Sequence, residues 1–177
     1  MTTGDQVRQA LASTRRDFHD LVEALPERAL RELSANPAWT NGEILFHMAF
    51  GFFLLPVLLP LVRLFGRLPK GRSKRFAAVL NAGTSLFNII DAWGPYVGGH
   101  ITSRHVLVQV FDRVYWRILR IINNVPEAEW QRGMYFPWKR DGLFQEYMTL
   151  ADVCTYPCRH FLAHREQLRL GPYQPSD

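Results

Sequence analysis

The chain has 177 residues, and its hydrophobic fraction of 47% with 21% charged residues excludes a disordered protein. This length suits one hydrophobic core, so we expect a single domain over residues 1–177. The formal net charge is +5, and two cysteines are too few for the disulfide framework of a small secreted protein.

Two helices are predicted in the first third of the chain. From Asp5 to about Leu25, apolar residues recur at steps of three and four, which predicts a helix with one buried face. A second helix is predicted to begin at Thr40, because its hydroxyl can cap the free backbone amides. Glu43, three residues later, completes the pattern of a capping box.

The second predicted helix is apolar on every face. Between Ile44 and Val62, His47 is the only ionisable residue, and by length this run could cross a membrane. However, Pro56 and Pro60 each remove a backbone donor, and an all-round apolar helix is also typical of the centre of a soluble bundle. We therefore expect no membrane span, and we expect the prolines to kink the helix or divide it near residue 56.

Residues 63–75 carry six basic side chains and no acidic one. The default interpretation is a solvated loop, and the alternatives are a surface for an anionic ligand, a membrane or a nucleic acid. No helix-turn-helix, zinc-finger or RNA-binding signature accompanies the basic residues, so we expect no nucleic-acid partner. The six residues are Arg63, Arg67, Lys70, Arg72, Lys74 and Arg75.

The second half of the chain adds three predicted helices. They cover residues 74 to about 92, 104 to about 124, and 149 to about 170. Residues 127–148 are rich in aromatic residues and glycine, and we expect an ordered loop there. Because no alternating strand pattern is found, the predicted fold is all-α. It is a four-helix bundle with an additional helix or broken half-helix between the second and third long helices.

Two histidines, His160 and His164, are spaced four apart in the last predicted helix. This spacing places both imidazoles on one face, where they can close on one divalent ion at roughly 2.0–2.1 Å each. His47 can supply a third ligand from the second helix, and three protein ligands leave a position open for water or substrate. A single histidine on an apolar face, such as His47, is usually a core histidine bonded to a backbone carbonyl, but burying three imidazoles without a shared partner is costly.

The residues around these histidines resemble the DinB/YfiT-like superfamily over nearly the whole chain. The resemblance is carried by Trp39-Thr40, Glu43 and His47, and by Thr149-Leu150-Ala151-Asp152 followed by His160-Phe161, His164 and Gln167-Leu168. It implies a four-helix bundle in which His47, His160 and His164 bind a divalent ion, commonly zinc or nickel.

The resemblance also sets the expected range of functions. The superfamily includes thiol S-transferases that use bacillithiol or mycothiol, a mycothiol-dependent maleylpyruvate isomerase, and self-protection proteins that open strained rings. It therefore implies a metal-dependent transferase or hydrolase that acts on a small electrophilic substrate, with a low-molecular-weight thiol as a candidate cosubstrate. A non-catalytic bundle that binds or sequesters a small molecule is the alternative.

Further site residues are predicted around the histidines. Glu43 is the candidate catalytic residue, because it lies one turn before His47 and could orient it or take a proton; the alternative role is the capping box. Aromatic residues are candidates for substrate binding, with core packing as the alternative. One amide, a turn after His164, is a further candidate, with a bond to its neighbour or a surface position as alternatives. These candidates are Tyr135, Trp138, Tyr156 and Gln167.

Cellular location and assembly are expectations only. The first residues show no charged segment followed by an apolar run, so no signal peptide is predicted and we expect a cytoplasmic protein. The apolar segment 50–65 leaves open a homodimer interface or a contact with a membrane surface.

Overall fold

The computed structural model describes residues 1–82, 103–137 and 142–169. The long helices are α1 (Thr3–Ala24), α2 (Asn41–Phe65), α3 (Lys70–Ala82), α4 (Arg104–Ile122) and α5 (Leu150–Arg165), and the short strands are β1 (Gly133–Tyr135) and β2 (Tyr147–Thr149). Short 3-10 turns lie at Glu27–Arg31 and Glu127–Glu129.

Four of these helices form the bundle. Both α1 and α2 pack against α4 and α5, so α1 and α2 occupy one diagonal of the bundle. Aromatic residues fill the centre: Phe18 stacks on Phe111 with 4.2 Å between ring centroids, and Phe52 meets Phe111 edge-on at 4.8 Å. The additional helix α3 lies between the second and third bundle helices, as the sequence predicts.

Capping boxes fix the beginnings of the two helices that carry the histidines. The Thr40 backbone N–H and hydroxyl both donate to Glu43 Oε2, at 2.6 and 2.8 Å, and this confirms the predicted start of α2. Thr149 donates in the same way to Asp152 Oδ2, at 2.9 and 2.6 Å. Each box satisfies backbone donors that a helix start leaves without partners.

The expectation that prolines divide the second helix is wrong. Helix α2 runs without a break through Pro56 and Pro60. Leu55 directly precedes Pro56 and Leu59 directly precedes Pro60, and both leucines are almost fully buried. Their packing offsets the loss of the backbone hydrogen bonds that the prolines remove. Among the described helices, α2 alone is long and apolar enough to cross a membrane, but 44% of its most apolar window is buried inside the bundle.

The segment between α4 and α5 contains a two-stranded antiparallel ribbon that the sequence does not reveal. Gly133 pairs with Thr149 and Tyr135 with Tyr147, and strands of three residues are too short to show an alternating pattern. A β-carbon at Gly133 would overlap the Met148 carbonyl oxygen, so the close approach of the strands requires glycine.

Two predicted helix limits also change. The observed α3 begins earlier than predicted and is described to Ala82; residues 83–92 of the prediction lie outside the described ranges. Helix α5 ends at Arg165 rather than near residue 170. It ends there because the chain turns back towards residue 35: the Ala35 N–H donates to the Gln167 carbonyl oxygen at 2.7 Å.

Candidate metal centre

Three histidines from two helices converge at one point of the bundle. His47 on α2 and His160 and His164 on α5 each offer a nitrogen, and these atoms lie within 4.8 Å of one another. The Nε2 atoms of His47 and His160 are 3.1 Å apart. The three ring centroids are separated by 4.5–4.7 Å. The three histidines that the sequence groups together thus also lie together in the structure.

Gly51 allows α2 and α5 to approach closely beside the cluster. It lies one turn after His47, and a β-carbon there would be 3.3 Å from the Pro157 β-carbon and 3.4 Å from His160 Nδ1. These distances lie at or below the lower limit of ordinary van der Waals contacts. A larger side chain at this position would therefore push His160 away from His47.

Gln167 orients the third histidine. Its Oε1 lies 3.2 Å from His164 Nδ1, just beyond the end of α5. An amide oxygen accepts, so this contact places the proton of His164 on Nδ1 and leaves the lone pair on Nε2. Outer hydrogen bonds of this kind commonly orient metal-binding imidazoles. From the sequence, Gln167 is expected to bond its neighbour or a ligand, or to lie at the surface, and its observed partner is the neighbouring His164.

Two aromatic side chains border the cluster. The ring of Trp39 lies 4.7 Å from His47 and 6.4 Å from His164, centroid to centroid. Tyr156 lies 5.7 Å from His160 and stacks on Phe144 at 4.4 Å. Tyr156 was a predicted site residue, whereas Trp39 was predicted only as part of the family pattern. Trp39 precedes the N-cap Thr40 and lies outside α2, so helical spacing from His47 could not have identified it.

His47 is held in the neutral form by its surroundings. Burial, followed by the neighbouring His160 and His164, lowers the pKa of His47 to about 3, because a positive charge there would be poorly solvated and repelled. Neutral imidazoles are the form that ligates metal ions. His47 is therefore already in the form that binds an ion near neutral pH.

The donor set fits a divalent transition metal. Imidazole nitrogens suit zinc, nickel and copper, and two nitrogens on one tetrahedral zinc lie about 3.3 Å apart, given Zn–N distances of roughly 2.0–2.1 Å. The observed 3.1 Å between His47 and His160 is close to that separation. The oriented lone pair of His164 supplies the third donor.

The remaining predicted site residues lie in different places. Glu43 is buried at 3% exposure, and its Oε2 accepts the capping hydrogen bonds of Thr40; a part in catalysis stays a prediction. Tyr135 lies in β1, where its ring contacts Tyr147 at 5.4 Å and Lys74 Nζ at 5.6 Å, a set of contacts separate from those around the histidines. Trp138 lies outside the described residues.

Fold and site together define a helical bundle with a candidate three-histidine metal centre between two of its helices. The sequence profile of the DinB superfamily matches residues 10–168, and the chain belongs to this superfamily. Searches of the curated proteins and of the solved structures return no match. The family resemblance and the all-α fold expected from the sequence are thus confirmed.

Proposed function

We propose that this protein is a divalent-metal-dependent enzyme that acts on a small electrophilic molecule, by thiol S-transfer or by hydrolysis or ring opening. The observation that carries the proposal is the convergence of nitrogen atoms from His47, His160 and His164 within 4.8 Å of one another. Three protein ligands are typical of catalytic rather than structural sites, because a fourth position stays open for a reactant.

Each residue around the cluster has a definite part in the proposal. His47, His160 and His164 hold the ion, which when bound supplies Lewis-acid chemistry that lowers the pKa of a thiol or a water. Gln167 fixes the proton of His164 on Nδ1 and so keeps Nε2 available. Trp39 and Tyr156 cover two sides of the cluster and limit the access of bulk water.

The nucleophile in this proposal comes from outside the chain. Cys154 and Cys158 are both buried, and burial raises the pKa of each thiol, that of Cys158 to about 11. A thiol of such high pKa carries almost no thiolate near neutral pH. A low-molecular-weight thiol cosubstrate or a water molecule is therefore the better candidate than either cysteine.

The proposal is tested by metal analysis together with thiol consumption. Protein purified without chelator should hold one zinc or nickel ion, and the His160→Ala variant should lose it. His105→Ala is the matched control, since His105 lies exposed on α4 and contacts Gln109. Wild-type protein should also accelerate the loss of a small thiol in the presence of an epoxide or an activated alkene.

Two outcomes would contradict the proposal in different ways. If wild-type protein holds no ion and takes up none from added Zn²⁺ or Ni²⁺, the metal centre itself is refuted. If the ion is bound but no electrophile is consumed with either thiol or water, the non-catalytic binding bundle replaces the enzyme.

A further inference from the structure

Arg159, the residue directly before His160, has a guanidinium group that is partly buried. Its Nε and Nη2 atoms are buried, and neither donates a hydrogen bond to any acceptor in the part of the chain that the structure describes. Two other partly buried arginines do have acceptors: Arg15 binds Asp112 and Arg63 binds Glu129, each at less than 3 Å. The difference needs a physical explanation, because removing charged donors from water without an acceptor costs free energy.

The local sequence shows that the helix itself offers no counter-charge. On a helix, ion pairs form between residues three or four apart. The residues at these positions around Arg159 are Thr155, Tyr156, Leu162 and Ala163, and none of them carries a carboxylate. An acceptor for Nε and Nη2 can therefore come from a bound molecule more readily than from helix α5.

The position of Arg159 connects it with the candidate metal centre. Tyr156, Arg159 and Ala163 follow one another at steps of three and four, so they form one row along α5. The β-carbon of Arg159 is turned about 100° around the helix from that of His160, so only the length of the arginine side chain can bring its guanidinium towards the histidines. Tyr156, one turn before Arg159, already borders the cluster, with its ring 5.7 Å from that of His160. A molecule that enters beside Tyr156 thus meets the helix row that holds Arg159.

The two buried atoms, Nε and Nη2, are also a pair that can bind both oxygens of a carboxylate. Nε and one Nη of a guanidinium form a fork that matches the two oxygens of a carboxylate. The protein contains this arrangement elsewhere: Arg15 uses Nε and Nη2 to bind the two oxygens of Asp112, at 2.7 and 3.0 Å. The same two atoms of Arg159 are the ones without an acceptor in the described residues.

We propose that Arg159 is a substrate-binding residue that holds a carboxylate group of the small molecule whose reactive atom meets the metal centre. The substrate class is then a small carboxylic acid with an electrophilic or thiol group a few bonds from the carboxylate. This inference rests on the proposed function for the reactive end of the molecule. The carboxylate contact itself depends on Arg159 alone.

A first experiment compares acids with their neutral amides. Mercaptoacetate, mercaptopropionate and mercaptobutyrate, each with its matching amide, are titrated by calorimetry into zinc-loaded wild type, Arg159→Gln and Arg165→Gln. Arg165 is an exposed arginine at the end of α5, so its variant removes the same charge at a different site. At one chain length, wild type and Arg165→Gln should bind the acid roughly ten- to a hundredfold more tightly than the amide.

Arg159→Gln separates the proposal from a general effect of charge. The preference for the acid should disappear in this variant, while its zinc content and its affinity for the amides stay at the wild-type values. An equal affinity of wild type for acid and amide at every chain length would overturn the proposal. The proposal would also be overturned if Arg159→Gln still bound the acids more tightly than the amides.

A second experiment needs no metal and keeps the two proposals distinguishable. The Nε–H resonance of Arg159, identified by its loss in Arg159→Gln, is followed while propionate or propionamide is added to metal-free protein. A saturable shift with propionate alone is expected. If zinc does not bind but this shift occurs, the metal-centre proposal fails and the carboxylate site stands. If zinc binds but the shift does not occur, the carboxylate site fails and the metal-centre proposal stands.

Discussion

The Nε2 atoms of His47 and His160 lie 3.1 Å apart, although 113 positions separate the two residues in the chain. At this distance two neutral imidazoles form a hydrogen bond only if one donates its proton and the other accepts. A bound ion would need the lone pairs of both nitrogens, and the shared proton would then move to the other ring nitrogen or leave. The contact therefore makes the protonation of His47 decisive for both stability and metal binding.

The first prediction concerns the stability of the metal-free protein at acid pH. The pKa of His47 falls from 6.5 to about 3 on folding, because of burial and the neighbouring histidines. Between these pH values the unfolded chain binds a proton that the folded chain does not, so the free energy of unfolding falls as the pH falls. One such proton gives a slope of up to about 1.4 kcal/mol per pH unit. Urea denaturation at successive pH values, with chelator present, measures the slope.

The matched variant for this prediction is His47→Gln, which keeps polarity but cannot titrate. Carboxylates titrate in part of the same range, so the informative quantity is the difference between the two slopes. The variant should lose less stability than wild type between pH 6.5 and 3. Equal slopes would show that His47 is not held neutral by the fold.

The second prediction concerns Gly51 and the spacing of α2 and α5. In Gly51→Val, the added methyl groups would meet Pro157 and His160, whose atoms already lie 3.3 and 3.4 Å from the position that a β-carbon would occupy. We expect the affinity for zinc to fall by roughly tenfold or more, since displaced ligands commonly cost that much. Helical content by circular dichroism should remain close to that of wild type.

Gly71 provides the control for the glycine substitution. A β-carbon there meets no atom within 4 Å, and Gly71 also lies inside a helix, α3. Because Gly71 is the second residue of α3, where the gain from helix propensity is smaller than in a helix interior, Gly71→Ala should raise the free energy of unfolding by less than about 1 kcal/mol and leave zinc affinity unchanged. Retained zinc affinity in Gly51→Val would show that the helix spacing does not set the site.

Local patterns of sequence predicted the parts of the site that lie within one helix. The capping box at Thr40 located the start of α2, and helical spacing placed His160 beside His164. Helical spacing also placed Gln167 one turn after His164 and offered a bond between them, but it could not decide between this bond and a surface position, because that depends on α5 ending at Arg165 and on the turn that follows. Similarly, the continuity of α2 through Pro56 depends on packing against other helices, which local propensity does not contain.

The third prediction concerns the hydrogen bond between Gln167 and His164. Gln167→Leu removes the acceptor of the Nδ1 proton, so His164 can turn or change its tautomer. We expect zinc affinity to fall by about ten- to a hundredfold, as for other outer hydrogen bonds of metal-binding histidines. Gln167→Glu keeps an acceptor and should bind zinc at least as tightly as wild type. Competition with a coloured chelator measures both, and equal losses in the two variants would contradict the orienting role.

The fourth prediction uses Trp39 as a reporter of the site. Its ring lies 4.7 Å from that of His47, so an ion held by the histidines would lie close to the indole. Nickel is paramagnetic in most of its complexes with nitrogen ligands and quenches nearby fluorescence. Adding Ni²⁺ to metal-free protein should therefore reduce the tryptophan emission in a saturable way, with an endpoint at one ion per chain.

Two conservative variants identify which tryptophan gives the quenching. Trp39→Phe keeps an aromatic ring over His47 and should bind nickel, as judged by metal analysis, but show little quenching. Trp116→Phe removes a tryptophan that is 52% exposed on α4, and should retain the quenching. If quenching persists in Trp39→Phe and is lost in Trp116→Phe, nickel binds elsewhere on the protein. The histidine cluster beside Trp39 would then not be the nickel site.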